Sequence, residues 1–233
     1  MTEEIFREDC YARSCAARVI AVDADGIRLD RTVFYPTGGG QPGDVGVLRH
    51  ADGRTVRISN TRKGDGEIIH VPEPDQPTLS EGEEVTAEID WERRYRLMRM
   101  HTCLHVLCAI VPGAVTGGQV GDGKGRLDFD CPETLDAQQI TASLQRLVGE
   151  NHPAHIRWIT DEEMEARPDL VRTMSVKPPS GAGRVRLLDI EGIDLQPCGG
   201  THLRATGEIG AVEVKKIEKK GARNRRVVVG FVE

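Results

Sequence analysis

After Asp90 the hydrophobic pattern of this chain changes period, and that change restricts the fold more than any other feature. Before it come short strand-like stretches: ARVIAVDADGIRLDRTVFYP, GDVGVLRHADGRTVRIS, DGEIIHV and EEVTAEID. Asp-Gly pairs interrupt them at Asp25-Gly26, Asp52-Gly53 and Asp65-Gly66, the chemistry of tight turns between antiparallel strands. Residues 1–92 are expected to form a small antiparallel β-barrel, with VPEPDQP as a surface loop. After the change, Leu97, Met100, His101, Leu104, Cys108 and Val111 recur at intervals of three and four. That spacing predicts an amphipathic helix, with Asp90 as its N-cap and Pro112-Gly113 as its end. Ala137, Ile140, Leu144 and Val148 predict a second helix, and the capping box from Thr160 to Glu163 starts a shorter third one before Pro168. Strand-like pieces (GRLDFD, HIRWIT, GRVRLLDI, AVEVKKI, RRVVVGFV) lie between and after them. Residues 93–233 therefore read as a helix-and-sheet domain, and the whole chain as α+β.

No apolar run approaches the roughly 20 residues that span a bilayer, and the acidic N-terminus MTEEIFREDC lacks an apolar segment of secretory type. The expectation is a cytoplasmic protein whose six cysteines are reduced. A net charge of −6 argues against nonspecific coating of nucleic acid. From 211 to 233, however, seven Lys/Arg face Glu213, Glu218 and Glu233, a local +4 suited to phosphates.

Two tight pairs of metal-ligand types stand out: His101 and His105, stacked on one helical face by i, i+4 spacing, and Cys198 and His202 in PCGGTH. A tetrahedral zinc ion accepts such nitrogen and sulfur donors. The pairs are nearly a hundred residues apart, and neither has a zinc-finger spacing. The competing reading is two packed core histidines, each bonded to a backbone carbonyl. The glycines between Cys198 and His202 fit either a close approach to a substrate or a tight turn.

HTCLH and PCGGTHL, with GRLDFD between them and KIEKKGARNRRV after them, resemble the editing domain of alanyl-tRNA synthetases and its free-standing relatives, the AlaX-type alanyl-tRNA editing proteins. FYPTGGGQPGDVG, residues 34 to 46, resembles the glycine-rich motif of the longer members, so nearly the whole chain is covered. The resemblance implies a barrel followed by an α/β editing domain of the threonyl/alanyl-tRNA synthetase second-additional-domain type. It implies a hydrolase that removes a wrong amino acid, chiefly serine and in some members glycine, from alanine-specific tRNA. Such a second site is needed because an alanine-sized activation pocket cannot strongly reject glycine or an added hydroxyl.

By similarity His101, His105, Cys198 and His202 hold one zinc ion and form the catalytic centre. The ion either lowers the pKa of a water or anchors the substrate's α-amine. Thr37, Gly39, Gly40 and Gln41 of the glycine-rich loop, with Thr116 and Gln119, are the candidates for amino-acid selection. TGGGQPGD is also compatible with a plain barrel turn, and without a following Gly-Lys-Ser/Thr it is no ATP-binding loop. Candidates for tRNA are Arg93, Arg94, Lys219, Lys220, Arg223, Arg225 and Arg226, against solvated surface charge as the ordinary explanation. Cys198 could instead be a nucleophile activated by His202. A non-catalytic, zinc-stabilised tRNA-binding module is the alternative to the hydrolase, and a monomer is expected.

Overall fold

The computed structural model describes residues 2–64, 66–171 and 183–232; the Asp65 half of the third Asp-Gly turn lies outside them. Two compact units divide the chain, Met1–Tyr95 and Arg96–Glu233. No helix among the described residues is long and apolar enough to cross a membrane.

The first unit contains β1 (Glu3–Glu4), β2 (Ser14–Asp23), β3 (Gly26–Leu29), β4 (Arg31–Thr32), β5 (Gly46–His50), β6 (Thr55–Lys63), β7 (Ile68–Pro72) and β8 (Glu84–Ile89). Six of these close into an antiparallel barrel in the order β2-β3-β7-β6-β5-β8. Inward residues of every barrel strand except β7, with Val33, Phe34 and Leu79, fill it: Val19, Ile27, Leu29, Leu48, Val56, Ile58, Val85 and Ala87 are all buried. The glycine-rich stretch lies close against β6 at Gly43, where an added Cβ would be 2.0 Å from the Thr61 carbonyl oxygen. No larger residue fits that approach.

The second unit contains most of α1 (Trp91–Ile110), then β9 (Ala114–Val120), β10 (Lys124–Asp130), α2 (Ala137–Gly149), β11 (Ala154–Thr160), α3 (Asp161–Glu165), β12 (Arg184–Ile190), β13 (Asp194–Pro197), β14 (Val212–Lys219) and β15 (Asn224–Phe231). A four-stranded antiparallel sheet has the order β14-β15-β10-β9, and a three-stranded one the order β11-β12-β13. The α+β class expected from the pattern is the class observed. Asp90 caps α1 by accepting the Arg93 N–H, Asp136 caps α2, and the Thr160–Glu163 capping box of α3 is formed.

The structure corrects one expectation about the fold. From Met100 to Cys108 every residue of α1 is buried, so the helix is not amphipathic there but central. The four-stranded sheet reaches it through Gly125, where a Cβ would meet Met100 Cγ at 2.8 Å and Leu104 Cδ1 at 3.1 Å. On another side Thr102 Oγ1 accepts the Leu203 N–H. A helix enclosed on several sides holds polar residues only where each finds a partner, and this sets up the site.

Candidate metal centre

His101 and His105 leave α1 one turn apart, and the loop after β13 brings Cys198 and His202 to them. The four potential donor atoms all lie within 4.8 Å of one another. Cys198 Sγ is 3.1 Å from His202 Nε2 and 3.6 Å from His101 Nε2. A tetrahedral zinc with these donors separates them by roughly 3.3–3.8 Å, so small shifts would suffice. His101, His105 and His202 also stand ring to ring, with centroids 4.3 to 5.4 Å apart.

The surroundings orient the rings. His105 Nδ1 lies 3.1 Å from Asp194 Oδ2, and His202 Nδ1 lies 3.3 Å from Thr102 Oγ1. Each of these two rings thus has its Nδ1 side held, with Nε2 left for the centre. The cysteine loop is clamped by Arg186: its carbonyl accepts the Cys198 N–H, and its Nη1 donates to the carbonyls of Cys198 and Gly200 at 2.7 and 2.8 Å. Gly200 N–H points at Cys198 Sγ at 3.5 Å.

Burial pulls the His202 imidazolium down to about 3, outweighing the attraction of the Cys198 thiolate. Burial acts the same way on His105, but there the Cys198 thiolate and the Asp194 carboxyl group prevail and raise the ring to about 10. The Cys198 thiol is held well below its ordinary range: burial opposes ionisation, and the three histidines overcome it. A thiolate at Cys198 is the donor state that a zinc site requires, whereas His105 would have to release its proton when a metal binds. Cys103, on the same helix, is the opposite case, pushed up to about 12 by burial, and is an inert packing residue.

The family follows from comparison of the whole chain. A model of the threonyl and alanyl tRNA synthetase second additional domain matches residues 185–228, and one of class II (A) tRNA synthetases matches residues 8–93. The chain is 38% identical to the alanyl-tRNA editing protein AlaX-M of Methanosarcina acetivorans, over 97% of this chain and 98% of that one. It belongs to the AlaX-M family of alanyl-tRNA editing proteins. The AlaX-M protein of Methanosarcina mazei is 36% identical over 100% of this chain and 98% of its own. The alanine–tRNA ligase of Pyrobaculum aerophilum is 37% identical over 94% of this chain but only 25% of the ligase.

The remaining AlaX-type candidates fall into different places. Thr37 Oγ1 accepts the Gly43 N–H at 2.9 Å and lies 3.2 Å from the Thr61 carbonyl, so its hydroxyl is already engaged within the barrel. Gly39 and Gly40 form the loop tip with φ of 57° and 80°, and Gln41 is buried. Thr116 bonds to the Asp128 carbonyl and Asn224; Gln119 bonds to Arg126. Their partners are on β10 and β15, not among the four donors.

Two arginines leave the tRNA-binding set. Arg94 is wholly enclosed in the barrel unit: Nε bonds both Asp44 oxygens at 3.0 and 2.9 Å, Nη1 the Cys10 carbonyl and Nη2 the Val33 carbonyl. Arg225 is buried with its guanidinium on backbone carbonyls, including those of Pro132 and Glu133. Much of the basic run is neutralised as well. Arg223 pairs with Asp130, Arg226 with Asp128, and Lys216 and Lys220 with Glu218. Of the seven, Lys219 and the buried Arg225 have no carboxylate within ion-pair distance among the described residues. Arg93 donates to the Gly43 carbonyl at 2.9 Å.

Asp194, Gln196, Thr102 and Arg186 went unmarked in the sequence. Only Asp194, Gln196 and Cys198 carried a signal, as same-parity residues of one short strand and its extension.

Proposed function

We propose that this protein is a zinc-dependent trans-editing hydrolase that cleaves the ester between alanine-specific tRNA and a wrong amino acid, with serine as the principal substrate and glycine as the second. The observation that carries this reading is the convergence of His101, His105, Cys198 and His202 in a chain whose full length matches proteins named for alanyl-tRNA editing. Three nitrogens and one thiolate suit zinc better than magnesium or calcium, which take oxygen ligands.

Bound there, zinc supplies a Lewis-acidic centre for a water or for the substrate's amino group. The chain's residues do the rest. His105 and His202 present Nε2 because Asp194 and Thr102 occupy the Nδ1 sides. Arg186 fixes the carbonyls of Cys198 and Gly200 and so the path of the loop beside the centre. The loop of Thr37, Gly39, Gly40 and Gln41 is assigned to amino-acid selection, with Thr116 and Gln119 as further contacts. For tRNA the candidates that are not buried are Arg93, Lys219, Lys220, Arg223 and Arg226, the last three each paired with a carboxylate.

A second reading is favoured by one feature: four protein donors close a tetrahedron, which is the usual form of a structural zinc site. In that reading the protein is a non-catalytic tRNA-binding module. Release of labelled amino acid from alanine tRNA charged separately with serine, glycine and alanine, by wild type and His101→Ala, decides between them. Rapid loss of serine that the variant abolishes is the expected result. Retention of all three amino acids by a zinc-loaded protein that binds tRNA would establish the module instead.

A further inference from the structure

Strand β13 is short, and its alternation is informative. It pairs with β12 in the register Ile190↔Asp194 and Leu188↔Gln196, and the Cys198 N–H continues the ladder to the Arg186 carbonyl. Successive side chains of a strand point to opposite faces. Asp194, Gln196 and Cys198 therefore share one face, while Leu195 packs on the other with Val185, Leu187, Met164 and Leu170. The shared face is the one toward α1.

A carboxyl group enclosed in protein is costly unless it is hydrogen-bonded. The Asp194 side chain has no exposure at all, and two groups converge on its Oδ2: Gln196 Nε2 at 2.6 Å and His105 Nδ1 at 3.1 Å. A neutral imidazole with an acceptor at Nδ1 keeps its proton there and leaves a lone pair on Nε2. His202 has only a hydroxyl in the equivalent place.

We infer that Asp194 is a positioning residue of the metal centre, fixing the tautomer and orientation of His105 while Gln196 holds the carboxyl group in turn. The inference rests on the zinc reading given above. Carboxylates that orient a metal-bound histidine change affinity by about 10–100-fold when replaced.

The test is zinc affinity of the full chain, measured by competition with a chromogenic chelator, together with the visible absorption of the cobalt-loaded protein. Asp194→Asn should bind zinc about 10–100-fold more weakly and shift the cobalt bands, with an unchanged circular dichroism spectrum. Gln196→Ala should show the same change at smaller size. Leu195→Ala, on the opposite face of the strand, should lower stability and leave affinity alone. Asp194→Asn with wild-type affinity and spectrum overturns the inference, and so does an equal loss in Leu195→Ala, which would mean that affinity follows strand stability. Should Asp194→Asn fail to fold, wild-type affinity in Gln196→Ala overturns it. A wild type that holds no zinc overturns the metal reading itself. A wild type that holds zinc but releases no amino acid overturns only the hydrolase.

Discussion

Each unit buries histidine, and the two treat it differently. In the barrel His70 is wholly enclosed, with Nδ1 on the Ile27 carbonyl at 3.0 Å and Nε2 on Thr32 Oγ1 at 2.8 Å. Both nitrogens have protein partners, and Phe34 packs edge-on against the ring. In the second unit His105 and His202 each have one nitrogen held, and the other faces a neighbouring donor. The lesson is that burial does not separate a core histidine from a ligand. What differs is the group that the second nitrogen meets: a threonine hydroxyl in the barrel, another potential metal donor in the second unit.

The largest effect should come from breaking the second arrangement. His101→Ala or Cys198→Ala is expected to slow deacylation by about 10³-fold or more, roughly 4 kcal/mol of barrier, as measured by release of labelled serine, while the barrel stays folded. The barrel's counterpart is Arg94. Arg94→Met leaves Asp44 enclosed without its cation and should cost about 3–5 kcal/mol. Urea unfolding followed by Trp91 fluorescence in a Trp158→Phe background measures it, and adding Asp44→Asn should recover much of the loss.

Acid sharpens the comparison at His70. Burial lowers this ring from 6.5 to about 4, so the folded barrel requires it neutral. Its contribution is complete above pH 6.5 and is lost as pH falls through the folded value near 4, at most about 3 kcal/mol. His70→Gln removes that dependence, so the stability gap between wild type and variant should narrow as pH falls across this range. The smallest effect belongs to Thr102→Val, which takes a neutral partner from His202. It should weaken zinc binding by about 1 kcal/mol, roughly fivefold, by chelator competition.

The turn signals of the barrel, the caps of α1 and α3 and the two pairs of potential donors were legible because each is a local pattern, whereas the Asp136 cap of α2 was not read. The surroundings of the donors were not. Arg94 looked like one more basic residue early in a helix, since nothing local shows that Asp44, fifty residues earlier, would enclose its guanidinium. The amphipathic stripe of α1 failed where Thr102, Cys103, Val106 and Leu107 also became buried, because a one-sided pattern cannot show how many neighbours a helix will have. Thr37 illustrates the same limit in reverse: its hydroxyl was visible, and its engagement by Gly43 was not. Asp194 was the readable omission, being four residues ahead of Cys198 with the same strand parity.

The Arg94–Asp44 pair also bears on the order in which the chain can fold as it leaves the ribosome. Strands β2 and β5 each wait for β8 to close the barrel, and the enclosed Asp44 waits longer, until the first turn of α1 is synthesised. The barrel therefore lacks the counter-ion of Asp44 until the first turn of α1 has emerged. A separately expressed barrel must run through Tyr95, the end of its compact unit, rather than stop where its last strand does.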